Sequence, residues 1–386
     1  MALTSPLARQ LEFELLASDV VFFAGLAVRP ELESIRSIGL LALMPFAAAT
    51  VVEGVGLVER GRPSSQIRLN HEELLRTSRL RLKVLDDDAK GFDEILREAS
   101  AIAAASTGLM MKLHRGWAAW KRLIQPDLGV YLVANRMICT THTAAVNIGL
   151  RSQATQRNPA AASFTFETLG RHMYAVSVQM GQFFGAVLSA LQIDPAPASF
   201  GPPPNLAIES RDTSSGRFYS SVGRNLRAND RATSLLVTLM VSQTNSARLL
   251  IPVIASFLNT DSAALRLRFL SVFHVTSSLQ KLVDRHHLSA ILQPAAVSST
   301  QAALRTADVR RIRRLRGLRN IFMHYRVPQE LGRSLRADLP LRGVVEAAGG
   351  SFGDFVSALD QSEMVISDLL EGFVSEAVGR SRLTTA

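Results

Sequence analysis

The chain has 386 residues and one cysteine, Cys139, which excludes an intramolecular disulfide; one hydrophobic core seldom serves beyond roughly 250–300 residues, so two domains are expected. Net charge is +10 and unevenly spread: residues 1–204 carry 20 basic and 18 acidic side chains, residues 205–386 carry 23 and 15. A basic half suits a polyanionic partner, nucleic acid being the commonest; the N-terminus lacks the pattern of a secretory leader, so a cytoplasmic protein is expected.

Apolar residues recur mainly at three- and four-residue spacing, and sustained alternation bounded by hairpin turns is not found, which predicts an all-α fold. In the first half, helical stretches are expected over 6–28, 31–58, 70–83, 90–124, 127–150 and 166–192. Ile38 to Val58 holds 21 residues with one charge, Glu53, but Pro45 and three glycines interrupt it. A buried helix with a break is expected there rather than a membrane span. Asp86, Asp87 and Asp88 read as a turn or cap, and Trp117 and Trp120 as core anchors. Ser177, Gly181, Gly185 and Ser189 fall four apart, giving a face of low bulk suited to close helix packing.

Pro195, Pro197, Pro202, Pro203 and Pro204 remove amide donors and bias their predecessors away from helix. They set the expected division: an N-terminal helical domain over 1–192, a linker over 193–204 and a second domain over 205–386. Arg211 to Asn229 reads as an exposed loop. After an apolar run from Leu235 to Leu258, Asp261 can cap a helix reaching about Arg285. Asp308 can cap another, with Val309, Ile312, Leu315, Leu318, Ile321, Phe322 and Tyr325 at helical spacing, ending before Pro328. Ser351 and Asp354 match a capping box ahead of a long terminal helix. These make a bundle of four or five helices.

The helix after Asp308 contains Arg319-Asn320-Ile321-Phe322-Met323-His324. Arginine followed by histidine at a similar interval also occurs at Arg136/His142 and Arg268/His274, but only Arg319 has asparagine directly after it. With this motif late in an arginine-rich helix between two long amphipathic ones, residues 235–380 resemble the HEPN superfamily of small helical bundles. The resemblance implies a metal-independent RNA endonuclease, acting as a toxin or anti-phage defence effector, without a cofactor. It also implies a homodimer or higher homo-oligomer through this domain, with two copies of the motif forming one composite cleft. The N-terminal half is then expected to sense, restrain or dimerise, with a regulatory protein as a further partner. Other members of that superfamily bind a protein partner or a nucleotide without cleaving anything, which is the alternative reading.

The residue types suit the implied chemistry. Attack of a ribose 2′-hydroxyl on the adjacent phosphate needs a base, an acid for the leaving 5′-oxygen, and positive charge at the phosphorane. His324 supplies acid or base, its place in the last helical turn favouring the acid role. Arg319 supplies a charged fork matched to phosphate oxygens, and Asn320, one turn before His324, orients substrate or imidazole. Arg311, Arg313, Arg314, Arg316 and Tyr325 are the expected substrate-binding residues, guiding the RNA backbone. Adjacent His286 and His287 diverge on a helix and suggest no metal site. No phosphate-binding glycine loop, His-Glu-x-x-His or Gly-x-Ser-x-Gly occurs, which argues against nucleotide hydrolysis, zinc proteolysis and esterase chemistry.

Overall fold

The computed structural model describes residues 6–61, 72–83, 128–148, 166–194, 206–224, 226, 231–289, 292–328, 331, 340–348, 350–379 and 382–383. The expected helix over 90–124, the Asp86 to Asp88 run and the prolines of 195–204 lie outside these residues. The all-α class holds, with one small sheet added to it.

Helices α1 (Pro6–Val28) and α2 (Glu33–Gly61) pair as a long hairpin. The break expected at Pro45 does not occur, because α2 runs straight through it. Proline removes the amide that would bond the carbonyl four residues earlier. That carbonyl, Leu41 O, instead accepts from the Asn147 side-chain amide at 3.2 Å, so a residue 106 positions away completes the helix. Helix α3 (Glu72–Leu80) and a 3₁₀ turn (Arg81–Lys83) pack back on α2.

The helix expected over 127–150 is instead a hairpin followed by a short helix: β1 (Leu128–Val133), β2 (Arg136–Thr140) and α4 (Thr141–Asn147). Ala134 and Asn135, with φ of 50° and 60°, make the two-residue turn that suits the twist of paired strands. Both faces of β1 are covered, so its residues run apolar without alternating, and the period that marks a half-exposed strand is absent. Thr140 caps α4 reciprocally with Thr143. Helix α5 (Phe166–Leu191) follows as expected.

The segment expected as an exposed loop from Arg211 holds β3 (Glu209–Thr213) and α6 (Ser215–Gly223). Arg211 answers the polar character of β3, bonding Glu209 Oε1 at 2.8 Å and Asn135 Oδ1 at 3.1 Å. The remaining elements are α7 (Arg231–Leu249), α8 (Ile251–Leu258), α9 (Asp261–Ser289), α10 (Pro294–Leu304), α11 (Ala307–Arg314), α12 (Arg316–His324), α13 (Pro340–Ala347), α14 (Phe352–Gly379) and β4 (Arg382–Leu383). Of the capping box expected ahead of α14, the structure shows the bond from the Asp354 amide to Ser351 Oγ at 3.1 Å. Strand order is β2-β1-β3-β4, antiparallel throughout.

Two apolar clusters fill the interior, and each draws on both sides of residues 193–204. One joins Leu11, Phe46 and Phe183 to Ile254, Phe269 and Phe322. The other joins Val130 and Met137 to Met240, Leu279 and Phe373. The proline-rich division expected in the chain is therefore not a division between cores. Two of the described helices are long and apolar enough to cross a membrane, one within 30–60 and one within 173–191; 67 % of the first window is buried in this packing.

Candidate functional site

The helix expected to run unbroken from Asp308 into the motif is split at Leu315, whose φ −82°, ψ 47° is not helical. The split separates α11 from α12. Leu318, Ile321, Phe322 and Met323 anchor α12 in the core, with Phe322 edge-on to Phe269 at 5.5 Å. Arg319 and Asn320 project on another face, and His324 ends the helix.

That face forms one wall of a cleft of about 680 Å³. Arg310, Arg313 and Arg314 come from α11, and Arg316, Arg319 and Asn320 from α12. Lys83 from the 3₁₀ turn and Lys281 from α9 close the other sides, with Phe273 and Ser277 between them. Seven cationic side chains line the cleft, and among the described residues no carboxylate does. Arg319 donates to Asn320 Oδ1 at 2.9 Å and lies over the Phe273 ring at 6.0 Å. Arg313 bonds Gln280 Oε1 at 3.2 Å, and Gln280 bonds Asp284 at 2.8 Å. Burial, joined by the nearby Arg316, holds the Arg313 guanidinium below its ordinary value despite the attraction of Asp284.

His324 lies outside this lining, one turn past Asn320. Its Nδ1 meets Glu53 Oε2 at 3.0 Å, and the other oxygen of Glu53 pairs with Arg79. The imidazole side chain is 38 % exposed and the Glu53 carboxylate 16 %. Burial alone would push Glu53 up, but the hydrogen bond from His324 and the charge of Arg79 outweigh it and hold the carboxyl below its ordinary 4.5. With Nδ1 engaged by a carboxylate, Nε2 is the ring atom left to exchange a proton.

The structure thus brings Arg313, Arg314, Arg316, Arg319 and Asn320 together and leaves three expected residues outside that lining: His324, Arg311 and Tyr325. Arg311 points to Asp354 at 3.7 Å, because successive helical positions diverge. Tyr325, expected to meet substrate, is fully buried: it takes a left-handed conformation, φ 44°, and its hydroxyl donates to Asp19. The Arg266 guanidinium covers that ring at 4.4 Å, pairs with Asp19, and donates from Nε to Phe322 O at 2.6 Å. This buried cluster fixes the end of α12 directly after His324. Burial pushes Asp19 up to about 6, against the opposing pull of Arg266 and Tyr325.

Sequence spacing missed Glu53, Arg79, Lys83, Lys281 and Arg310. Glu53 carried a signal, as the one charge in a 21-residue apolar run. The rival pairs have structural roles. Arg136 binds Ser367 and Asp368, and His142 is buried against Tyr219. Arg268 is held by Glu363 and Asp360, and His274 is buried edge-on to Phe273. Among the described residues no group of three or more His, Cys, Asp or Glu could hold a metal ion, and the His286 and His287 side chains lie outside them. No family model, curated protein or solved structure matches the chain.

Proposed function

We propose that this protein is an endoribonuclease of HEPN type that cleaves RNA by 2′-hydroxyl attack, needs no metal, and serves as a toxin or anti-phage effector. The observation that carries the reading is the cationic cleft with Arg319 and Asn320 of the motif in its wall. A sugar-phosphate strand entering the cleft meets guanidinium groups on one side and Lys83 and Lys281 on the others, which favours a phosphate at Arg319. Arg319 then offsets charge growing on the phosphorane oxygens. His324 delivers a proton from Nε2 to the leaving 5′-oxygen, water takes the proton of the attacking 2′-hydroxyl, and Glu53 holds the ring's other nitrogen.

Five residues along a helix correspond to about 140° of rotation, so Arg319 and His324 of one chain face different ways. A homodimer that sets one protomer's imidazole beside its partner's cleft supplies the acid–base group each cleft needs. Incubation with tRNA and total RNA in EDTA tests the proposal. Fragments with 2′,3′-cyclic phosphate ends are expected, and both His324→Ala and Arg319→Ala abolish them. Cutting that persists unchanged in both variants refutes it.

A further inference from the structure

We propose that Arg79, on α3, is a positioning residue for His324: by holding Glu53 in place it fixes which nitrogen of the neutral imidazole carries the hydrogen. The two partners of Glu53 come from different helices. One carboxylate oxygen meets His324 Nδ1 at 3.0 Å, and the other pairs with the Arg79 guanidinium. A glutamate side chain turns about several bonds, so one contact does not fix the plane of its carboxylate. Two contacts, one at each oxygen, do. Helix α3 is itself anchored, since Leu75 is buried in the core and Ser78, next to Arg79, donates to the Asn147 carbonyl at the end of α4.

The two arginines of α3 differ in what they reach. Arg76 is 63 % exposed and pairs with Glu72 of its own helix, a kind of contact that contributes little. Arg79 is 17 % exposed and crosses to α2. Burial opposes the charge on Glu53, and the bond from His324 with the pull of Arg79 and Arg266 overcomes it. Once His324 has given up its proton, the neutral ring offers one ordinary hydrogen bond and no charge, too little to keep a carboxylate from turning out to water. Arg79 supplies that hold, so Glu53 stays to accept from Nδ1 and the hydrogen remains there. Where the nuclease reading holds, on which the catalytic part of this proposal rests, Nε2 is thereby left facing the RNA after each turnover. Arg79 lies outside the cleft lining and does not act by binding RNA.

Nitrogen NMR of the full chain, labelled at its eight histidines, tests the assignment at alkaline pH, where an imidazole is neutral. His324→Ala identifies the resonances. In wild type the expected shifts are those of a protonated Nδ1 and a bare Nε2. In Arg79→Gln they move toward the Nε2-protonated form that a free imidazole favours, in Arg79→Lys they stay near wild type, and in Arg76→Gln they do not change, with the helical spectrum preserved in all three. On RNA, Arg79→Gln lowers kcat by about tenfold or more and leaves KM close to wild type. A proton on Nε2 in wild type overturns the proposal without any variant, as does a tautomer indifferent to Arg79→Gln, or a raised KM at unchanged kcat. A protein that shows the expected tautomer and its dependence on Arg79 but never cuts RNA sinks the nuclease alone; RNA cutting with a tautomer indifferent to Arg79 sinks this proposal alone.

Discussion

Arg266→Met removes a guanidinium that is fully buried between Asp19, the Tyr325 ring and the Phe322 carbonyl. Breaking one side of a buried ion pair costs about 3–5 kcal/mol, because the remaining charge keeps its desolvation without its partner. At about 2.1 cal/mol/K per residue, unfolding 386 residues carries roughly 0.8 kcal/mol/K, so Tm falls by about 4–6 °C. The loss is also pH-dependent, with a definite sign. Asp19 titrates at about 6 in the folded protein against an ordinary 3.8, so the folded state holds this proton more tightly than the unfolded state. Its contribution to stability is fully present below 3.8 and is lost as pH rises through about 6. Without the lowering effect of Arg266, the carboxyl moves further up, and the variant is penalised more at pH 8 than at pH 5. Adding Asp19→Asn removes the stranded charge while keeping an acceptor for Tyr325, so the double variant is more stable than Arg266→Met at pH 8. Urea unfolding followed by far-ultraviolet circular dichroism at both pH values measures all three proteins. Equal penalties at the two pH values, together with additive substitutions, would refute the account of a dry, coupled cluster.

Three further outcomes follow from the site. Glu53→Gln loses the stability that the depressed carboxyl contributes above 4.5; wild type surrenders that contribution as pH falls below 4.5 through the lowered folded-state value, so the difference in urea midpoint between the two narrows toward acid pH. Gly317→Ala meets nothing within 4 Å of the added carbon and raises stability by about 0.5–1 kcal/mol, seen as a higher urea midpoint. Arg310→Ala weakens single-stranded RNA binding and lowers the slope of log affinity against log salt by about one, whereas Arg311→Ala leaves the slope unchanged, both read by fluorescence anisotropy.

The amphipathic helices were legible because one covered face imposes its period on the chain. Residues 166–191 emerge with bounds close to those expected. The hairpin at 128–140 was not legible, since burial on both faces erased its alternation. Leu315 also deceived: its apolar side chain fits the helical period, while its backbone leaves the helix there. At the site, spacing found the arginines of one helical segment but not Lys83 and Lys281, which the fold supplies from elements remote in sequence. Glu53 and His324 stood out separately, one as a lone charge and one within a motif, but their pairing across 271 positions depends on how α2 crosses the end of α12. Tyr325 was misjudged because helical period fixes a direction, not what waits in that direction.

The borrowed donor at Pro45 makes α2 conditional. Until Asn147 docks, the Leu41 carbonyl lacks the partner that an ordinary helix would give it, so the turns before and after the proline are weakly coupled. The later turns carry Glu53, the carboxylate that fixes the orientation of His324. The orientation of the imidazole is thereby tied to assembly of the hairpin and its following helix, and a chain that stalls before that step carries His324 without its Glu53 contact.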